Sequence, residues 1–287
     1  MSFIDLHVHS NASDGTLTPT EIVNLAKEKK LTAIALTDHD TMQGIQEATE
    51  AAKGSGLEII SGVEISCEYR EKEVHILGLF LNTNDEELLC DLAKYREKRD
   101  ERNKKMVSNF QKAGIPMTIE ELNEGNPNVV ITRAHFARYL VEHGYVKKKD
   151  DAFKKYLGKK CSFYETREYM KPKRAIELIK KAGGLVFLAH AYLYKMSDRE
   201  IEQMIEELMS YGLDGIEVYH SSHNACESQK LLALAKRKGL LISGGSDFHG
   251  ANKPDIDLSV GRGNLRLPHY ILEDIKKSEA FLRTNIV

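Results

Sequence analysis

The stretch Phe3-Ile4-Asp5-Leu6-His7-Val8-His9, running into Ser10-Asn11-Ala12-Ser13-Asp14-Gly15, decides how the chain is read. Apolar and polar side chains alternate through its first half. A period of two predicts a strand with Asp5, His7 and His9 on one face and Ile4, Leu6 and Val8 on the other. Two imidazoles two residues apart on one strand face can bind a single metal ion. The loop after the strand adds a carboxylate, Asp14. A His-x-His pair on its own reads as readily as ordinary polar surface. Later strand ends give it weight by repeating the pattern.

Working outward, Thr18-Pro19-Thr20-Glu21 is a capping box with Pro at the first helical position, so a helix begins there. Leu31 to Leu36 is a nearly continuous apolar run, as in a strand of a parallel sheet buried on both faces, and it ends in Thr37-Asp38-His39-Asp40. A helix from Gln43 to about Lys53 leads to a third strand ending near Glu64. A fourth, Val74 to Phe80, carries His75. After a break the rhythm returns at Lys171. Strand Leu185 to Ala189 ends in His190, strand Gly215 to Tyr219 in His220-Ser221-Ser222-His223, and strand Leu240 to Gly245 in Ser246-Asp247-Phe248-His249. Seven strands alternating with helices, with His and acidic residues at their ends, predict an α/β fold. It is a parallel (βα) barrel with its site at the C-terminal face. Residues 1–99 and 169–287 form the barrel, and 100–168 read as a basic helical insertion covering the site. Asp85 to about Gly114 reads as one long helix, and another starts near Thr132. The tail from Leu265 to Val287 reads as a closing helix.

Composition fits a globular protein of 287 residues with 41% hydrophobic and 29% charged side chains. No run approaches the roughly 20 apolar residues that span a bilayer, and the N-terminus lacks a signal-peptide layout. Cys67, Cys90, Cys161 and Cys226 are scattered without CxxC spacing, which suggests reduced thiols and a cytoplasmic location. The net charge of −2 hides an asymmetry: residues 94–174 hold 21 Lys/Arg against 11 Asp/Glu. Such a segment is either a set of solvated helix faces or a basic cover over an anionic substrate.

Asp5-x-His7-x-His9, Thr37-Asp38-His39-Asp40, Gly62-Val63-Glu64, His75, Ala189-His190 and Ser246-Asp247-Phe248-His249 together resemble the PHP family, named for polymerase and histidinol phosphatase. The likeness covers about 1–80 and 171–268. It implies a distorted seven-stranded, TIM-like barrel holding two or three divalent metals at its C-terminal mouth. Carried over, His7, His9, Glu64 and Asp247 would hold one ion, Glu64, His75 and His190 a second, and Asp14, His39 and His249 a third. Imidazole and carboxylate ligands suit Mn²⁺, Fe²⁺ or Zn²⁺ and do not choose among them; Mn²⁺ is the expected ion, with Fe²⁺ or Zn²⁺ as alternatives. Asp14 stands where some relatives have His, and Ala191 where a proline is common. Asp5 and Asp38 are expected to orient ligand imidazoles, with Asp40 grouped beside them. His143, His220 and His269 are left to surface or structural roles.

The resemblance is nearest to the small phosphoesterases that remove phosphate from nucleoside 3′,5′-bisphosphates or trim short RNA from its 5′ end. It implies attack on phosphorus by a metal-bridging hydroxide, with Asp247 and His249 as candidates for moving the proton. Thr132-Arg133 matches a Ser/Thr-Arg pair expected to hold the non-reacting phosphate, because Arg grips phosphate oxygens in bidentate fashion. His223, His135 and Lys160 are further candidate substrate contacts. The expected partner is a small phosphorylated nucleotide or short RNA; no protein partner and no membrane contact is legible. Two alternatives remain. One is a histidinol-phosphate phosphatase, against which a basic insertion argues. The other is a non-catalytic, metal-stabilised nucleic-acid-binding module, which would leave the open ligand set unexplained and which lacks an aromatic stacking run.

Overall fold

The computed structural model describes residues 2–285. The last two residues of the expected closing helix lie outside the described residues. In chain order the elements are β1 (Phe3–Val8), α1 (Pro19–Glu28), β2 (Ala33–Leu36), α2 (Gly44–Ala52), β3 (Glu58–Tyr69), β4 (Lys72–Leu79), α3 (Glu86–Lys112), α4 (Ile119–Leu122), α5 (Arg133–Glu142) and α6 (Lys149–Ala152). Then come α7 (Pro172–Lys181), β5 (Leu185–Leu188), α8 (Asp198–Tyr211), β6 (Gly215–His220), α9 (Ala225–Lys238), β7 (Leu241–Gly245), β8 (Leu267–Pro268), α10 (Tyr270–Lys277) and α11 (Glu279–Asn285).

The strands form one sheet in the order β7-β6-β5-β4-β3-β2-β1-β8. It curls until its ends meet: Asp247 N–H donates to His7 O at 2.9 Å and His9 N–H to Phe248 O at 3.0 Å. Gly245 permits that closure, because a Cβ there would overlap the backbone and Cβ of His7. Eight strands replace the expected seven. The extra one is the two-residue β8, which pairs antiparallel with β1 and lets the tail begin as a strand before its helices.

The expectation of an all-parallel barrel fails at β4. It pairs antiparallel with both β3 and β5, because only Arg70 and Glu71, both at positive φ, separate it from β3. A turn that short makes a hairpin, whereas a parallel crossover needs a dozen residues or more. The strict alternation expected of β1 fails as well. Its register with β2 shifts between Asp5 and Val8. Ile4 and Leu6 pack in one apolar cluster with Leu77 and Phe187, while Val8 joins the other with Ile22 and Leu36. An irregularity of this kind re-aims the side chains on either side of it.

The insertion has its own apolar cluster, including Met106, Phe110, Ile131, Phe136, Leu140 and Leu157. The rings of Phe110 and Phe163 stack at 4.5 Å. On α3, the buried residues run Leu88, Leu92, Arg99, Arg102, Asn103, Met106, Val107 and Phe110. The helix therefore turns an apolar face to its neighbours at both ends and an arginine face in between.

Candidate metal centre and active site

The strands and the loops that follow them bring seven imidazoles and four carboxylates together: His7, His9, His39, His75, His190, His220 and His249 around Asp14, Glu64, Glu217 and Asp247. Their ligand atoms form overlapping groups of three or four among the described residues. All nine expected ligands lie in these groups. Two of these residues, His190 (24°) and Asp247 (57°), and Asp40 (52°) next to His39, are held at positive φ. Non-glycine residues in that region cost about 1–3 kcal/mol each and collect at functional sites. Here each turns the chain where a strand end must present a side chain to the centre.

Glu64 is the hub and is 1% exposed. Its Oε1 lies 2.8 Å from His75 Nδ1 and 2.8 Å from His190 Nε2. Its Oε2 lies 3.2 Å from His9 Nε2, 3.2 Å from His39 Nδ1 and 3.4 Å from His7 Nε2. Burial works against its charge, yet the surrounding imidazoles hold its pKa well below the usual carboxylate range. Burial also opposes protonation of His9 and His75. Hydrogen bonds and charge from the neighbouring carboxylates outweigh it and raise them to about 9 and about 10.

The donor set fits a divalent metal. His249 Nδ1 lies 2.8 Å from the carbonyl oxygen of Asp247, so Nδ1 carries the proton and donates it. Burial, then the charges of Lys253 and His9, push the His249 pKa down and keep the ring neutral. Its bare Nε2 is 3.1 Å from Asp14 Oδ1, an atom without a hydrogen-bond partner. Two buried acceptors at that distance repel unless a cation lies between them. His9 Nδ1, His39 Nδ1 and His190 Nδ1 are likewise buried without a hydrogen-bond partner, where unpaired groups normally cost stability.

Two members of the centre escape the sequence reading. Glu217 Oε1 accepts from His7 Nδ1 at 3.0 Å and Oε2 from His190 N–H at 2.8 Å, which turns His7 Nε2 toward Glu64 and Asp247. Burial opposes its charge, yet His7 and His220 hold its pKa down to about 2. A carboxylate inside a run read as a buried strand was the available signal, since such groups stay buried only when paired. His220, left to a surface or structural role, is buried within the centre. Its Nδ1 accepts from Ser222 N–H at 3.0 Å, so in the neutral ring Nε2 carries the proton, 3.4 Å from Asp247 Oδ2. Lys253 Nζ reaches the same oxygen at 2.5 Å. Asp247 Oδ1 is left facing His9 and His249, each at 3.4 Å.

Other expectations need correction. Asp5 and Asp38 meet no imidazole in hydrogen-bonding contact. Asp5 accepts from Ser246 N–H (2.8 Å), Ser246 Oγ (2.5 Å) and Ser259 N–H (2.7 Å). Asp38 accepts from Ser10 N–H (2.8 Å), Ser10 Oγ (2.6 Å) and Ser13 Oγ (2.6 Å). Each therefore pins a ligand-bearing loop. Asp40 pairs with Arg99 and accepts from Ser66 N–H. His135 places Nδ1 3.0 Å from Thr132 N–H as part of a helix cap, and burial holds its pKa down to about 4. Lys160 is exposed. His223 is buried, its Nδ1 3.1 Å from Val218 O, and it borders a cavity of about 360 Å³ together with His220 and Asn264. His143 stacks on Tyr139, and His269 Nδ1 lies 2.7 Å from Thr32 Oγ1; both stand outside the ligand groups.

Beside the centre, the insertion buries a second constellation. Arg99, Arg102, Arg133 and Arg167 act on one another electrostatically, and Asp40 and Glu73 are the carboxylates that face them. Arg133 pairs with Glu73, whose Oε1 is 3.8 Å from His75 Nε2. Arg167, with a side chain 1% exposed, lies over the Tyr169 ring at 4.1 Å and reaches Asp40 at 3.6 Å. Its Nε, Nη1 and Nη2 lack hydrogen-bond partners, as do Arg102 Nε and Nη1 and Arg99 Nε. Burial, then the charges of Arg99 and Arg133, hold the Arg102 pKa down to about 9.

A curled α/β barrel whose mouth gathers this many imidazoles and carboxylates defines a class: barrel proteins with a His- and carboxylate-lined centre suited to divalent metal. The family model described as "PHP domain" matches residues 5–170, more than half of the chain, and the chain belongs to that family. It is 39% identical over 248 residues to the 5′-3′ exoribonuclease of Haemophilus influenzae, covering 85% of this chain and 89% of that one. It is 37% identical over 260 residues to the 3′,5′-nucleoside bisphosphate phosphatase of Chromobacterium violaceum, covering 90% and 91%. A solved structure of an amidohydrolase from Chromobacterium violaceum with bound SO4 and no metal superposes with a TM-score of 0.85, at 35% identity over 96% of this chain and 97% of that one. Among the described residues, no helix is long and apolar enough to cross a membrane.

Proposed function

We propose that this chain is a metal-dependent phosphoesterase that removes the 3′-phosphate of nucleoside 3′,5′-bisphosphates and trims 5′-phosphorylated short RNA from its 5′ end. The buried arginine pocket carries this reading. Four guanidiniums against two carboxylates leave about two positive charges with unsatisfied donors, a site for a dianion next to, and distinct from, the metal centre. A substrate with one phosphate on the metals and another on the arginines fits it. Histidinol phosphate, with a single phosphate, leaves the pocket unpaired. The two relatives' activities meet in one geometry. With a 5′-phosphate in the arginine pocket of this chain, the bond between O3′ of the first ribose and phosphorus would lie at the metals for either substrate.

His7, His9, Glu64 and Asp247, then Glu64, His75 and His190, then Asp14, His39 and His249 would hold two or three divalent ions; the mixed imidazole and carboxylate set suits Mn²⁺, Fe²⁺ or Zn²⁺ alike, and Mn²⁺ is the ion to test first. Such ions neutralise charge on the phosphoryl oxygens and supply an activated water as nucleophile. The chain's own residues orient and anchor. Glu217 fixes the His7 ring. His220 and Lys253 hold the outer oxygen of Asp247 so that Oδ1 faces the centre. The arginine pocket fixes the distance from the second phosphate to the scissile bond, which converts binding into alignment. His249 spends its one neutral-form proton on Asp247 O and is not free to donate it to the departing oxygen. Lys253 stands at the mouth with N–H groups to offer.

The test is phosphate release from adenosine 3′,5′-bisphosphate by Mn²⁺-loaded protein, alongside histidinol phosphate and a short 5′-phosphorylated RNA. Turnover of the bisphosphate, lost in Asp247→Ala, is expected. Turnover of histidinol phosphate alone would sink the substrate assignment. Metal binding with no turnover of any of the three would favour the nucleic-acid-binding module.

A further inference from the structure

Thr132 joins the insertion to the metal centre through a single hydroxyl. It caps α5: Ala134 N–H donates to its Oγ1 at 3.1 Å, and its own N–H goes to His135 Nδ1 at 3.0 Å. The same Oγ1 lies 2.8 Å from Asp14 Oδ2. A hydroxyl has one proton, and with Oγ1 accepting from the helix, that proton goes to Asp14. Thr132 and Asp14 are both buried. The two carboxylate oxygens are thereby divided. Oδ2 is taken by Thr132 and lies 4.0 Å from His39 Nε2, while Oδ1 faces His249 Nε2 at 3.1 Å and His9 Nδ1 at 3.8 Å.

A second set of contacts ties the Asp14 loop to the insertion. Val130 N–H donates to Ala12 O at 3.1 Å. Asn252 Nδ2 donates to Asp14 O at 2.7 Å, and Lys149 of α6 holds Asn252 through its carbonyl (2.6 Å) and Oδ1 (3.0 Å). The loop that presents Asp14 is therefore gripped by the insertion on two sides.

We propose that Thr132 is a positioning residue for Asp14, so that an ion held by Asp14, His9, His39 and His249 is bound tightly only while the insertion is seated on the barrel. The inference rests on the metal-centre reading above. It replaces the expected role of Thr132 as a phosphate contact, since its hydroxyl proton is already committed. The next residue, Arg133, belongs to the arginine pocket. An anion in that pocket and an ion at Asp14 thus act on the same helical turn, and by linkage any effect of one on the binding of the other is reciprocal.

The test is a Mn²⁺ titration of metal-free wild type, Thr132→Val, Thr132→Gly and Thr132→Ser, following free Mn²⁺ by electron paramagnetic resonance, with kinetics on the bisphosphate. Glycine is a tolerated helix cap without a hydroxyl, so it separates the Asp14 contact from capping, and it keeps the test open if the valine variant fails to fold. In Val and Gly, one class of Mn²⁺ should weaken by about tenfold or more while the other classes hold, and Ser should restore it. At limiting Mn²⁺, kcat should fall while KM changes by less than about twofold. Unchanged Mn²⁺ classes in both Val and Gly overturn the inference, whether KM stays level or rises as for a substrate contact. Wild-type protein that binds no Mn²⁺ fails the functional reading and this inference together, a signature distinct from failure of the inference alone.

Discussion

At the scale of single residues, the centre works by giving each side chain two different neighbours. Glu217 shows this best. One of its oxygens fixes the His7 tautomer and the other holds the His190 backbone. Glu217→Gln keeps the shape but loses the charge that favours His7 as a ligand, and removal of such a partner typically costs 10- to 100-fold in metal affinity. A Mn²⁺ titration should show about that loss; unchanged affinity would mean that Glu217 only supports the strand. The imidazoles also predict a pH dependence. His9 and His75 are raised to about 9 and about 10 in the metal-free centre, so both carry protons at pH 7. An entering metal must displace them. Affinity for Mn²⁺ should therefore rise between pH 7 and 9, with proton release visible as a dependence of calorimetric heat on buffer ionisation enthalpy. Equal heats in all buffers would contradict the assignment.

At the scale of elements, α3 places function against stability. Arg99, Arg102 and Asn103 occupy the helix face that Met106 and Phe110 continue. Side chains three and four residues apart share a face, so the helix offers guanidiniums where apolar packing would otherwise stand. Arg102 is the clearest case, buried with two unpartnered nitrogens. An unpaired buried charge is costly, and replacement by an apolar residue of similar volume is often stabilising. Arg102→Met should raise stability by about 1 kcal/mol or more, lifting Tm by roughly 2–4 °C for a chain of this size. It should also raise KM for the bisphosphate at least about tenfold, the loss of one charge-assisted hydrogen bond. Calorimetry and kinetics on the same preparation check both. A variant that is less stable and binds substrate normally would make Arg102 a structural residue.

At the scale of the whole molecule, the barrel and the insertion share one boundary, and it runs through the site. The barrel closes from Asp247 and His9 to their partners across β1 and β7, so the residues that complete the sheet also bear ligands. Metal binding should then stabilise the fold as a unit. At about 100 times Kd, one ion contributes about 2.7 kcal/mol. Adding Mn²⁺ to chelator-treated protein should raise Tm by several degrees, reversed by chelator, in a single melting transition. An unshifted Tm would show that the ligand atoms do not bind the metal cooperatively with folding.

Much of this was written in local sequence. The capping box at Thr18, the buried run of β2 and the strand-end histidines are set by neighbours a few residues away, and local chemistry of that kind survives whatever the rest of the chain does. Glu64, His75, His190 and Asp247 were legible for the same reason: each stands within or just beyond a recognisable apolar strand. The hairpin that reverses β4, the shift in β1 that separates Val8 from Ile4 and Leu6, and the commitment of Thr132 to Asp14 were not legible. The hairpin is local, but its two-residue turn Arg70-Glu71 carries none of the Gly, Asn or Asp that mark such turns; the other two depend on contacts between residues farther apart in the chain, 118 positions in the last case. The charged run on α3 marks the division. The sequence by itself determined that arginines would recur along one helix face. Only the tertiary structure decided that this face would be buried, because burial belongs to what packs against a helix and not to the helix alone.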